Sequence, residues 1–315
     1  MNIFVFCGNL NKVGGVTESV SNFIRAATSS GHSVRSGALA IFKNLYKYDF
    51  SYINYSRPYK RLIAALLSRL YAKKTVVVYH GLYDFSQAHL TEQLAIHLSD
   101  VCVLLNEKSY RSFVSVHGQH KAYLQTSLLK EGLRNNTSRT VDKFSKIYNV
   151  KFTMLLYCSL LDMNDTYGVD FVYKSLGLLR SKFDSFKVIL VDPNSSCSEH
   201  AIVTDSNVIH YNHAVDFDSF LKSADIYIRP TCKDGNSVAI NEALMVGCDV
   251  LASDVVDRPV GVHLYKWRDQ CDFVNRINDL LYSERLNYVG PSLSLSHFGC
   301  LINVIFPQLV GSVKC

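Results

Sequence analysis

Short apolar runs alternate along the whole chain with glycine-bearing polar loops and amphipathic stretches, a pattern that predicts strands connected by helices. Residues 3–7 (IFVFC) read as a first buried strand, Gly8 to Val16 as a loop, and Thr17 to about Ser30 as a helix with Val20, Phe23, Ile24 and Ala27 on one face. A strand and loop follow at 48–56 and a strand at 75–79, then a helix at 90–98, a strand at 101–105 and a helix at 108–116. The polar run 132–142 has the composition of a linker. Beyond it the same grammar restarts. Strands are predicted at 152–158, 186–191, 208–211 and 224–228, and helices at 169–179 and 217–223. A further helix, capped by Asn236 or Ser237, runs through Glu242 to Gly247, a C′ glycine, and 250–252 forms the next strand. Strand–helix alternation on both sides of a linker implies an α/β fold of two doubly wound, Rossmann-like sheets facing each other across a cleft. The expected domains are 1–140 and 150–290. An apolar segment within 291–315 is expected to form a helix that returns to the first domain.

Composition narrows this picture only slightly. The 315 residues suit two cores, and 48% apolar residues are ample for both. A net charge of +6 is modest at this length, so no nucleic-acid partner is expected. The nine cysteines are scattered and contain no CxxC pair, which favours reduced thiols in a cytoplasmic chain over a disulfide framework or a zinc site. No apolar run reaches the roughly 20 residues that span a bilayer, and the first strand is too short for a signal-peptide core.

The residues with candidate chemistry lie at strand ends. Arg229 to Pro259 (RPTCKDGNSVAINEALMVGCDVLASDVVDRP) runs from a strand end through a polar loop into a helix, where free N–H groups favour phosphate. Two carboxylates mark it, Asp234 in the loop and Glu242 in the helix, with seven residues between them. Gly14 and Gly15 would let a ligand approach backbone N–H groups, although the pattern is not GxGxxG and a plain tight turn is the other reading. His80 stands at the end of the clearest strand of the first half, placed for chemistry or for a sugar hydroxyl, or simply structural. Residues 57–74 (RPYKRLIAALLSRLYAKK) have an apolar centre and basic ends. They form either a crossover helix with its cations in water or a segment attracted to an anionic membrane surface. Asp216-Phe217-Asp218 opens a helix, where acids complement the dipole, and His210, His213 and Cys197 to His200 read as structural. No metal site and no cofactor are expected.

These motifs together resemble the retaining glycosyltransferases of family 4, which have the GT-B fold, and among them the bacterial enzymes that build O-antigen or capsular polysaccharide. The family pattern RPT-x-x-DG-x-S-x-x-x-x-EAL-x-x-G-x-x-V-x-ASD stands here as Arg229 to Asp254, followed by Arg258-Pro259, while Gly14-Gly15, His80-Gly81 and Tyr167 to Asp170 agree in position. The resemblance places Asp234 near the transferred sugar and Glu242 on the ribose hydroxyls of the nucleotide. It places the helix start at Gly235, Asn236, Ser237 and Val238 on the leaving diphosphate. The chain departs from the family twice. Asp234 is one methylene shorter than the usual Glu, and the loop 159–168 carries Asp162 and Asp165 where relatives carry an Arg and a Lys. Arg229, Lys233 and Arg258 are the cations left to serve the donor, the two arginines ahead of Lys233 in its exposed loop, with ordinary surface ion pairs as the other reading.

The expected function is transfer of a hexose, without a metal and with retention, from a uridine or guanosine diphosphate sugar to a lipid-linked saccharide. Donor binding is expected in the second domain and acceptor binding in the first, at the inner face of the cell membrane. A catalytically silent nucleotide-sugar or glycan-binding scaffold is the rival, and another GT-B enzyme such as an epimerase a third reading.

Overall fold

A computed structural model of the chain describes residues 1–10, 15–37, 48–81, 84–125, 142–282 and 294–307. The chain divides into two compact units, Met1–Lys130 with Ser292–Cys315, and Glu131–Pro291.

The first unit holds strands β1 (Asn2–Cys7), β2 (Ser33–Ser36), β3 (Tyr48–Asn54), β4 (Ala72–Tyr79), β5 (Val101–Leu104) and β6 (Ala122–Leu124). They form a wholly parallel sheet in the order β2-β1-β3-β4-β5-β6. Because inner parallel strands are buried on both faces, β1, β5 and the second half of β4 are continuously apolar, whereas the edge strand β2 is not. Ile3, Val5 and Cys7 of β1 point to the side covered by α1 (Gly15–Ser29), while Phe4 and Phe6 point to the side covered by α2 (Pro58–Tyr71), α3 (Leu90–Leu98) and α4 (Glu107–His117). The terminal helix α10 (Ser294–Ile305) joins the α1 face, with Phe298 against Phe23 at a ring separation of 5.5 Å.

The second unit repeats the plan. Its strands are β7 (Phe152–Tyr157), β8 (Phe186–Val191), β9 (Val208–Tyr211), β10 (Ile226–Arg229), β11 (Asp249–Ser253) and β12 (Val262–Tyr265). They are parallel in the order β12-β11-β10-β7-β8-β9. Helices α6 (Val169–Lys182) and α9 (Gln270–Tyr282) cover one face, and α5 (Phe144–Ile147), α7 (Phe217–Ser223) and α8 (Val238–Met245) cover the other. In each sheet the winding reverses once, between β1 and β3 in the first unit and between β7 and β10 in the second. The crevice outside the strand ends at such a reversal is where open α/β sheets bind ligands.

The structure corrects the sequence reading in several places. The helix expected over 57–74 stops at Tyr71, because Ala72 and Lys74 pair with Tyr48 and Phe50 in the sheet. Arg61 is neither in water nor at a membrane: it is 1% exposed and donates to Glu92 Oε2 at 2.5 Å and to the Tyr55 carbonyl at 2.9 Å. The strands β2, β6 and β12 and the helix α9 were not predicted. The three strands are short, partly exposed edges without an apolar run. Seven cysteines are free thiols, but Cys300 is disulfide-bonded, so reduced thiols do not hold throughout. Residues 132–141 of the expected linker, and Gly14, lie outside the described residues. Among the described residues no helix is long and apolar enough to cross a membrane.

Candidate functional site

At the reversal point of the second sheet, the chain leaves β10 at Arg229 and turns at once through Pro230. The loop after β7 rises beside it and ends at Gly168, whose φ of +72° and contact with Pro230 admit no side chain: a Cβ there would lie 2.2 Å from the Pro230 carbonyl oxygen. This contact seats the 159–168 loop against the 230–234 loop. It also brings the Tyr167 ring to 5.2 Å from the Arg229 guanidinium, a cation–π distance.

Asp234 is the hub of the second loop. Its carboxylate accepts from Arg229 Nε at 3.0 Å and Nη2 at 3.2 Å, from Arg258 Nη1 at 2.7 Å and from the Gly235 N–H at 3.0 Å. Burial alone would raise this carboxyl, but the two guanidiniums outweigh it and hold it at about 2. The cluster carries a net positive charge, and its two cations differ. The Arg258 side chain is 2% exposed and is further tied to the Thr231 hydroxyl at 3.3 Å and the Ser253 carbonyl at 3.4 Å. The Arg229 side chain is 13% exposed, and its Nη1 takes no hydrogen-bond partner among the described residues. Arg258 is therefore the anchor, and Arg229 is the cation with donor capacity to spare.

Just beyond, Ser237 caps α8, its hydroxyl accepting from the Ile240 N–H at 3.4 Å, and Asn236 Oδ1 accepts from Asn241 Nδ2 at 2.7 Å. The first turn leaves the N–H groups of Val238 and Ala239 without a side-chain cap, which is what makes a helix start attractive to anions. Glu242 lies in the same helix and is buried. The acids of the 159–168 loop have local duties. Asp165 accepts from the Asp170 and Phe171 N–H groups at 3.0 and 2.9 Å and so fills the start of α6. Asp162 accepts from the Thr166 N–H and hydroxyl and from the Asn164 N–H.

The structure thus groups Arg229, Asp234, Gly235, Asn236, Ser237, Val238, Glu242 and Arg258 in one unit. Gly15, the first residue of α1, and His80, following β4, belong to the other. The His80 Nε2 is buried with no hydrogen-bond partner among the described residues, and burial, followed by the Arg61 charge, lowers its pKa to about 4. Asp216 stands at the N-cap of α7 and accepts from the Ser219 hydroxyl at 2.7 Å. His210 contacts the fully buried Asp192, which also accepts from the Cys197 N–H at 2.7 Å and organises the turn after β8. Tyr167, Thr231 and Ser253 stand in the stretches singled out from the sequence but received no role there, because nothing in their spacing shows that an aromatic ring and two hydroxyl-bearing residues support the arginines.

Comparison with solved structures identifies the fold. Anabaena HepE, solved in complex with UDP and glucose, superposes with a TM-score of 0.70 over 97% of this chain and 95% of that one, at 14% identity. The lipopolysaccharide outer core galactosyltransferase WaaB gives 0.65 at 13% identity over 98% and 100% of the two chains. WaaG, a glycosyltransferase involved in lipopolysaccharide biosynthesis, gives 0.64 at 13% identity over 97% and 99%. No protein-family model matches the sequence, and no curated protein matches it. The chain has the GT-B fold, two Rossmann-like doubly wound domains, as the sequence pattern led us to expect.

Proposed function

We propose that the chain is a retaining, metal-independent glycosyltransferase of the family 4 type, acting in surface-polysaccharide synthesis at the cytoplasmic face of a membrane. It would pass a hexose from a UDP- or GDP-sugar, held on residues 150–290, to a lipid-linked saccharide held on residues 1–140. The observation that carries this reading is the Arg229–Asp234–Arg258 cluster beside the first turn of α8, where Ser237 takes the Ile240 N–H and leaves those of Val238 and Ala239, at the reversal point of a doubly wound sheet. HepE is crystallised with UDP and with UDP-glucose, and that similarity supports a nucleotide-sugar donor.

The geometry gives each group work to do. A carboxylate at Glu242 can accept from the vicinal ribose hydroxyls. The Val238 and Ala239 N–H groups and the free side of Arg229 face charge that grows on the departing diphosphate, so they stabilise the transition state more than the ground state. Asp234, locked between two guanidiniums, stays ionised throughout and fixes their directions. The membrane reading gains support from α2, where Tyr59, Ile63, Leu66 and Leu70 are all exposed and recur at helical spacing, with exposed Leu90 and Leu94 on the neighbouring α3.

Nucleoside diphosphate release from a panel of nucleotide sugars, with and without a membrane extract as acceptor source, tests the proposal. Release is expected with at least one donor, and Glu242→Ala should abolish it or raise the donor KM. No release with any donor would refute the enzyme. The absence of Arg and Lys from the 159–168 loop keeps the scaffold reading in view, and nucleotide binding without turnover would establish it.

A further inference from the structure

The first unit has its own cavity at its own reversal point, lined in part by the start of the basic 57–74 segment. Cys7 and Asn54 are register partners at the carboxyl ends of β1 and β3. Above them lies a cavity of about 270 Å³, bounded by Gly8 to Leu10, by the first residues of α1 and by Asn54 to Arg57 and Lys60. That is near the lower end of small-molecule sites, roughly 300 Å³.

Its chemistry is one-sided. Among the described residues no carboxylate lines it, whereas Arg57 and Lys60 do. These two stand apart from the other cations of the 57–74 segment. Arg61 pairs with Glu92, Arg69 and Lys74 with Asp100, and Lys73 with Asp49, but Arg57 and Lys60 have no acidic partner among the described residues. The floor provides a second, independent sign. Asn54 is 2% exposed, and both its Oδ1 and its Nδ2 are buried without a partner. A buried amide with neither hydrogen bond made is costly unless something in the adjoining cavity completes it.

We infer that this cavity binds the phosphate-bearing head of an apolar-chain acceptor, with Arg57 and Lys60 on a group of two negative charges and Asn54 donating from below. Two uncompensated cations match a diphosphate or a phosphate monoester better than the single charge of a phospholipid diester. The same helix that begins at the cavity carries the exposed stripe from Tyr59 to Leu70, so an apolar tail leaving the head group has a surface to follow. The word acceptor rests on the glycosyltransferase reading above. The binding site itself does not.

Titration of the full-length protein with farnesyl diphosphate, farnesol and inorganic diphosphate, and with phosphatidylglycerol vesicles, tests the site in wild type and in the Arg57→Gln/Lys60→Gln double variant. Both side chains are exposed, so the variant should keep the wild-type melting temperature. The expected result is farnesyl diphosphate binding to wild type, weakened at least about tenfold in the double variant. Inorganic diphosphate should bind more weakly than the prenyl ester, and farnesol should show no dependence on the two residues. Asn54→Leu, a buried variant to be checked for folding, should weaken the same ligand. Equal farnesyl diphosphate binding by wild type and the double variant would overturn the site. So would an equal loss on phosphatidylglycerol vesicles, which would reduce the cations to general attraction for a bilayer. Stabilisation by UDP and by GDP, measured in parallel, reports on the other unit: if both are absent while the prenyl diphosphate result stands, the donor reading fails and this site survives.

Discussion

Gly168 gives the most direct test of how the candidate donor site is built. Substitution by alanine forces an L-residue into the left-handed region at φ +72°, which costs about 1–2 kcal/mol. It also places a methyl group 2.2 Å from the Pro230 carbonyl oxygen and about as close to the Pro230 ring, where backbone has to move. Overpacking of this kind costs about 1–3 kcal/mol. Together these destabilise the second unit by about 2–5 kcal/mol, a fall in Tm of roughly 5–15 °C for a unit of this size. The control lies nine residues further along the chain. Gly177, on the exposed side of α6, has helical backbone and open space around its Cα, so Gly177→Ala should stabilise by about 0.5–1 kcal/mol. Scanning calorimetry of the two variants should move in opposite directions. Nucleotide stabilisation should also weaken in Gly168→Ala, because the seat that brings Tyr167 to Arg229 is lost. A Tm for Gly168→Ala within about 1 °C of wild type, or equal losses in both variants, would refute the close-packed loop pair.

Three further outcomes follow from the same structure. Arg229→Gln should lower kcat by about 10²-fold or more while Tm changes little, because the Arg258–Asp234 pair persists; Asp234→Asn should instead destabilise by about 3–5 kcal/mol by leaving buried guanidiniums unpaired. The pKa of His80 is lowered to about 4 against 6.5 for a free histidine, so the unfolded chain gains a proton first as the pH falls. Stability should decline between pH 6.5 and 4 by at most about 3 kcal/mol, and urea titrations of His80→Phe should lack that decline. Leu66→Glu/Leu70→Glu on α2 should reduce flotation with phosphatidylglycerol vesicles several-fold, and unchanged flotation would return that stripe to an ordinary exposed face.

Both sheets were legible in the sequence because parallel strands buried on two faces leave unbroken apolar runs, as in IFVFC and FKVILV. The edge strands β2 and β12 were not, since pairing on one side places no apolar demand on residues such as Ser33 and His263. Arg61 was misread for a related reason. A cation in an apolar helix looks like a surface residue until its partner, Glu92, arrives from another helix 31 positions later. In the candidate site, the residues singled out by spacing and by the family resemblance lie together in the second unit, but their pairing was not legible. Nothing in the stretch from Arg229 to Pro259 reveals that Asp234 takes both arginines at once.

That pairing changes the meaning of the acids in the 159–168 loop. From the sequence, Asp162 and Asp165 stand where positive charge would suit a departing diphosphate. In the fold, Asp165 occupies the start of α6, so that helix presents its own carboxylate and no anion site, and Asp162 is consumed by its own turn. Both acids therefore contribute to holding Gly168 against Pro230, and through it Tyr167 near Arg229. On the proposed reading, the positive charge left for a diphosphate lies across the loop from them, at the Val238 and Ala239 N–H groups of α8 and at Arg229, which bonds Asp234 through Nε and Nη2 alone. Arg258 cannot substitute for it, since its charge is already divided between Asp234, Thr231 and Ser253 at 2% exposure. A site arranged this way concentrates its dependence on one side chain, where a pair in the 159–168 loop would share it. Loss of Arg229 should accordingly be felt in turnover far more than in folding.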